Sequence, residues 1–323
     1  MLSHYPARWS VALVAALTAC AADPSLVREH PLPGAEAVSL LGDSLWAPTL
    51  DSAVRVARES MLTAADLAYR RDAESPDALI WVGRRLAYLG RYREAIEVYT
   101  RGIDRFPDDP RLYRHRGHRF ITVRSLDEAL SDLLTATRLT AGTPDEVEPD
   151  GLPNDRGIPT STLHSNIWYH LGLVHYLRGD FERAASAYRE CMLYATNPDM
   201  LVATSHWLYM ALRRLGREQE ANQVLVPIVA DLDIIENQAY HRLLMLYKGA
   251  TRAEALLDSV QTTDGLTSAT VAYGIGTWYL YGGQPDRAVE VFRRIVVGPE
   301  WAAFGSLAAE AELARMDLTR AQR

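Results

Sequence analysis

Ile167-Trp168-Tyr169-His170-Leu171-Gly172-Leu173-Val174-His175-Tyr176-Leu177-Arg178-Gly179-Asp180-Phe181-Glu182-Arg183-Ala184 decides how this chain folds. Ile167, Trp168, Leu171 and Val174 return every three or four positions, the period of a helix face and not the alternation of a strand. Gly179 offers the left-handed conformation that closes a helix. Ala184 then opens a second periodic run with Ala187, Tyr188 and Cys191. A small side chain there lets two helices cross closely, Phe181 covers the junction, and Pro198 stops the second helix. The stretch predicts a helix–turn–helix unit.

The unit recurs. Gly83 and Gly117 are 34 residues apart, as are Ala95 and Ala129. Gly83 to Gly172 and Ala95 to Ala184 both span 89, which is two periods of 34 with 21 residues inserted. A glycine precedes an alanine by five at Gly90/Ala95, Gly179/Ala184, Gly216/Ala221 and Gly283/Ala288. Tyr92 stands after Gly90 as Phe181 does after Gly179, and Pro107 ends its helix as Pro198 does. A fixed period of this length marks a solenoid, in which each unit buries its apolar face on its neighbours.

These residues resemble the tetratricopeptide repeat (TPR). Trp168, Leu171, Gly172, Gly179, Phe181, Ala184, Tyr188 and Pro198 match its pattern, as do Gly83, Gly90, Tyr92, Ala95, Tyr99 and Pro107. The resemblance covers about residues 76–316 and implies an all-α, right-handed superhelix of about six helix–turn–helix repeats with capping helices. Residues 76–143 hold repeats one and two, with Arg124 where the turn glycine belongs. Residues 165–300 hold repeats three to six: the fourth has Tyr209 in place of its first-helix glycine, and the fifth is degenerate, with Gly249 and Ala255 six apart. Residues 51–75 read as an N-terminal capping helix, with Asp51 or Ser52 as its cap. Residues 301–323 read as a C-terminal capping helix and tail.

The N-terminus reads as a targeting segment. Arg8 precedes an uncharged run from Trp9 to Ala19, too short to span a bilayer as a helix. Leu17-Thr18-Ala19-Cys20 resembles the bacterial lipobox, which implies a signal peptide over 1–19 and a mature chain beginning at a lipidated Cys20. Acyl chains would then hold the protein at a membrane. Ala21 in place of Asp resembles the outer-membrane default of Gram-negative lipoproteins. Residues 20–50, with Pro24, Pro31, Pro33 and Pro48, are expected to be a flexible tether.

In the TPR family the first helix of each repeat lines a concave face. Carried over by position, that face presents Arg84 and Tyr88, then Arg111, Arg114 and His118, then Asn166, Tyr169 and Tyr176, then His206, Met210, Arg213 and Arg214. Pro110 to Leu126 holds five arginines and no carboxylate, in a chain whose net charge is −7. An Arg/Tyr groove suits a protein or peptide partner bearing carboxylates. Eukaryotic carboxylate-clamp TPRs place Asn where this chain has Arg84 and His118, so recognition of chaperone tails is not expected. The insertion at 144–164 opens with Asp145, Glu146, Glu148 and Asp150. It can hold a hard cation, fold onto the arginines, or run through solvent.

The acidic net charge argues against nucleic acid as a partner. Two cysteines, Cys20 and Cys191, do not make a disulfide scaffold, and Cys191 reads as a packed thiol. The chain lacks an HExxH motif, a GxSxG elbow and a phosphate loop. His115 and His118 share a helix face without further ligands, so neither metal nor cofactor is expected. The leading expectation is a non-enzymatic, lipid-anchored scaffold of the cell envelope, similar to pilotins and envelope-assembly factors. The alternatives are a glycan- or peptidoglycan-binding protein or accessory subunit of an envelope enzyme, and a cytoplasmic repeat protein.

Overall fold

A computed structural model of the chain describes residues 32–260 and 265–321. Cys20 and the expected signal segment lie outside the described residues. Among the described residues fourteen helices follow a short hairpin, β1 (Ala37–Val38) and β2 (Ser44–Leu45). Helix α1 (Ser52–Arg71) starts on Asp51, whose carboxylate accepts the amides of Ala53 and Val54. The first repeat is α2 (Pro76–Tyr88) and α3 (Tyr92–Arg105), the second α4 (Pro110–Thr122) and α5 (Leu126–Thr140). After the insertion come α6 (Leu163–Leu177) and α7 (Phe181–Met192), then α8 (Pro198–Arg214) and the short α9 (Glu218–Val224). The fifth pair is α10 (Gln238–Tyr247) and α11 (Ala253–Val260), the sixth α12 (Gly265–Tyr281) and α13 (Pro285–Val296), and α14 (Phe304–Ala321) closes the array. No helix among the described residues is long and apolar enough to cross a membrane.

The repeat signal is a backbone signal. Prolines open α2, α4, α8 and α13, where the missing amide has no intrahelical partner to lose. Each first helix ends in the same hydrogen bond, Arg91 N–H to the Leu86 carbonyl, Asp180 to His175, Arg217 to Leu212, Ala250 to Met245 and Gln284 to Tyr279. It needs a left-handed residue, supplied by glycine with φ between 71° and 80° at Gly90, Gly179, Gly216, Gly249 and Gly283. The second repeat makes the bond from Ser125 to Phe120 with Arg124 at φ 66°. In the degenerate fifth repeat the buried alanine that lets the helices cross is Ala253, not Ala255.

Two departures from the expected solenoid matter. Residues 35–46, read as tether, are folded onto the body. Ala35 and Ala37 are buried, the Glu36 carboxylate accepts the Arg93 amide, and the Trp46 carbonyl accepts the Trp301 indole N–H at 2.8 Å. Prolines and glycines ruled out a long helix there, but a two-residue hairpin accommodates both, with Gly42 at φ 93° in its turn. The array also bites its own tail. Repeats in an open solenoid touch only their neighbours. Here α14 packs on α6, α12 and α13, and Trp301 meets the Tyr92 ring edge-on at 5.5 Å. Arg124 pairs with Glu310 across the junction.

Candidate functional site

The concave face divides into a filled half and a basic half. The filled half runs along α6 and α8. Tyr169, Tyr176, His206 and Met210 were expected to line an open groove, but they are buried, because α10, α12 and α14 occupy the concavity. Tyr273 donates a hydrogen bond to the Tyr176 hydroxyl at 2.9 Å, and the Tyr169 hydroxyl lies 3.1 Å from that of Tyr240. His206 stacks on Tyr247, and Met210 Sδ lies 3.5 Å from the Thr277 hydroxyl. Arg213 lies over the Tyr209 and Tyr281 rings, while Arg214 pairs with Glu312, 1% exposed, at 2.5 Å. These inward residues form a core. Both helices are buried on nearly every side, which a one-sided groove helix is not.

The basic half lies on α2 and α4, and the insertion crosses it. The Leu163 amide donates to the Glu146 carbonyl at 2.8 Å and the Glu148 amide to Ser161 at 3.1 Å, around an antiparallel bridge between Val147 and Thr162. Asp145 accepts both the amide and Nδ1 of His164, tying the insertion to the start of α6. At the far end Glu236 accepts from Asn154 and Thr160, and Arg156 pairs with Asp233. The segment therefore spans the mouth of the superhelix from α2 to the loop before α10.

Beneath it the charges are unequal. Glu148 faces Arg114 Nε at 3.0 Å, both nearly buried, and also accepts from Asn166 Nδ2 at 3.0 Å. Arg85 donates to the Gly151 carbonyl at 2.7 Å. Gly151 passes so close to Tyr88 that a Cβ there would fall 1.7 Å from the hydroxyl oxygen. Arg84 lies over the Trp81 ring at 4.5 Å and Arg119 over Tyr92 at 5.5 Å. Among the described residues neither Arg84 nor Arg119 has an ion pair with a carboxylate. A cleft of about 210 Å³ remains between α2, α4 and the insertion, lined by Trp81, Arg84, Arg111, His115 and Glu148.

Electrostatics follow from that crowding. Burial, then the neighbouring arginines, holds His115 and His118 well below the usual histidine range, and burial lowers Arg114 and Arg119. His118 packs its ring on His170 at 4.2 Å and is a packing residue as much as a groove residue. Arg111 is held by Asp109 and Asp77, so it is already neutralised. The sequence-derived set thus reduces to Arg84, Tyr88 and Arg114. Arg119 and Trp81 were missed, although the carboxylate-free run from Pro110 to Leu126 contained the first of them.

Two of the insertion's carboxylates are engaged by the protein itself. Asp145 faces His164 and Glu148 faces Arg114, and among the described residues no group of three or more His, Cys, Asp or Glu side chains converges as a metal site. Cys191 is buried against the Ser165 carbonyl, and burial pushes its thiol up to about 12.

Three family models match the chain, each described as a tetratricopeptide repeat, over residues 76–118, 162–196 and 270–297. No curated protein matches. Among solved structures the chain is similar to YrrB, described as a TPR protein with an unusual peptide-binding site, with 16% identity over 77% of this chain and 97% of that one, at a TM-score of 0.41. It is also similar to BtubC from P. vanneervenii, with 15% identity over 82% and 91%, at 0.38.

Proposed function

The chain belongs to the tetratricopeptide-repeat family, and we propose that it is a non-catalytic scaffold, held at a bacterial envelope membrane by a lipid on Cys20, that takes an acidic segment of a partner protein against α2 and α4. Stacked repeats present a continuous rigid surface, which is a device for protein interaction. One observation carries the reading: Arg84, Arg114 and Arg119 gather on the concave face with one carboxylate, Glu148, paired to them. A half-buried guanidinium with no anion is costly, and a partner carboxylate would recover that cost through charge-assisted hydrogen bonds. The aromatic partners Trp81 and Tyr92 hold the two free guanidinium groups in place, so less freedom is lost on binding.

Crosslinking in intact envelopes followed by purification tests this. The chain captures a defined set of envelope proteins, and Arg84→Glu with Arg119→Glu removes them while the helical circular dichroism is unchanged. Undiminished capture by a folded double variant rejects the groove.

A further inference from the structure

The insertion has the chemistry of what the groove is built to hold. It is extended where it crosses the arginines, as the bridge at Val147 requires. Alternate residues of an extended segment face the same way, and Glu148 and Asp150 are half-buried toward the groove while Val147 and Pro149 are exposed. Glu148 takes Arg114, and Gly151 gives its carbonyl to Arg85. The fit is incomplete. Asp150 Oδ2 is buried without a hydrogen bond, Arg114 Nε meets Glu148 at 3.0 Å without hydrogen-bond alignment, and Arg84 has no ion pair with a carboxylate among the described residues. Burial, then the field of Glu236, raises the Asp150 carboxyl above the usual range, and the nearby Arg84 offsets this only in part.

We propose that residues 146–151 are a resident, displaceable ligand of the α2–α4 groove, and that a partner binds by placing its own extended segment, with carboxylates at alternate residues, where they lie. The proposal rests on the groove reading above and adds the partner's chemistry and the competitor it displaces. A tethered segment competes at an effective concentration on the order of millimolar, so a poorly seated one is replaced by a better-seated rival without unfolding the body. The base of the insertion, held by Asp145 on His164, is separate from the segment that moves.

The test uses the purified chain and a fluorescent peptide carrying its residues 143–152. Glu148→Gln frees Arg114 of its carboxylate and leaves the rest of the insertion in place. The variant is expected to bind the peptide at least tenfold more tightly than the native chain. A peptide with Gln and Asn at the positions of Glu148 and Asp150 binds neither, and polyphosphate of equal charge competes poorly. In the native chain, hydrogen exchange at the Glu148 and Leu163 amides speeds up when the acidic peptide is added in excess, which reads the displacement even if the variant does not fold. Equal affinity of native chain and variant, with no change in exchange, overturns the resident-ligand proposal and leaves the groove reading standing. No binding to either overturns it too, and partner capture then judges the groove alone. Equal competition by polyphosphate overturns the assignment to a peptide.

Discussion

Arg124 and Glu310 stand 186 residues apart in the chain and meet side by side, Nη2 to Oε1 at 2.5 Å and Nε to Oε2 at 3.1 Å, both side chains 3% exposed. The guanidinium also donates to the Thr122 and Trp301 carbonyls, and Glu310 accepts the Leu40 amide. One buried pair thus joins the second repeat, the closing helix and the N-terminal hairpin. Removing one partner leaves a buried charge alone, so Glu310→Gln should cost about 3–5 kcal/mol in urea unfolding. Arg124→Gly with Glu310→Leu should cost much less than either single change. Glycine relieves the left-handed backbone, and an apolar replacement for a buried ion pair is often close to neutral. A Glu310→Gln loss under about 1 kcal/mol would mean that the pair does not hold the closure.

His206 makes stability depend on pH. Burial lowers its pKa to about 3, from an ordinary value of 6.5. The unfolded chain therefore binds a proton below pH 6.5 that the folded chain refuses. The contribution is complete above pH 6.5 and is lost as pH falls toward 3, at about 1.4 kcal/mol per pH unit. Unfolding free energies of the native chain and His206→Gln should converge, or cross, between pH 7 and pH 4. Parallel curves would place the acid sensitivity elsewhere, in His115, His118 or His170, which burial also keeps neutral.

Cys191 should be inert in the folded chain. Its thiol is pushed up to about 12 and is buried, so at pH 8 it offers little thiolate and no access. A Cys20→Ala chain should leave an aromatic disulfide reagent unconsumed until denaturant is added, then consume one equivalent. Prompt reaction would show that α7 opens readily from α8.

Gly83 sets how closely α2 and α3 approach. A Cβ there would lie 2.4 Å from the Tyr99 ring. Gly83→Ala should lose about 1–3 kcal/mol from overpacking. Combining it with Tyr99→Leu should cost less than the two single losses together, because the clash is with that ring.

Lipidation of Cys20 is tested by feeding cells a radioactive or clickable fatty acid. The native chain takes up label and sediments with membranes, and Cys20→Ala does neither. Equal sedimentation of the unlabelled variant would remove the anchor from the proposal.

The repeats were legible because each rests on local backbone chemistry. Gly90, Gly179 and Gly283 end helices by their own φ preference, and Ala95, Ala184 and Ala288 mark where helices cross. The 21-residue displacement located the insertion for the same reason. The groove was less legible. Family position placed Tyr176, His206 and Met210 on the inward side, and they do face inward, but whether an inward side is open depends on how far the superhelix winds. That winding is a property of the whole array, and its evidence is distant in sequence: Glu310 for Arg124, Glu312 for Arg214, Trp46 for Trp301. Arg124 carried a hint, since a bulky cation in a glycine position needs a compensating partner. The hairpin at 35–46 escaped because two-residue strands carry no measurable periodicity.

The pairing of α14 with the second repeat also fixes arithmetic. An open array gains or loses repeats without penalty to the rest, and such families vary freely in length. Here one added repeat of 34 residues would rotate and lift α14 away from α6 and carry Glu310 off Arg124. The number of repeats is therefore part of the design, as strand number is in a closed barrel. Diversity in relatives with this closure is expected in the insertion, which can change without moving either end.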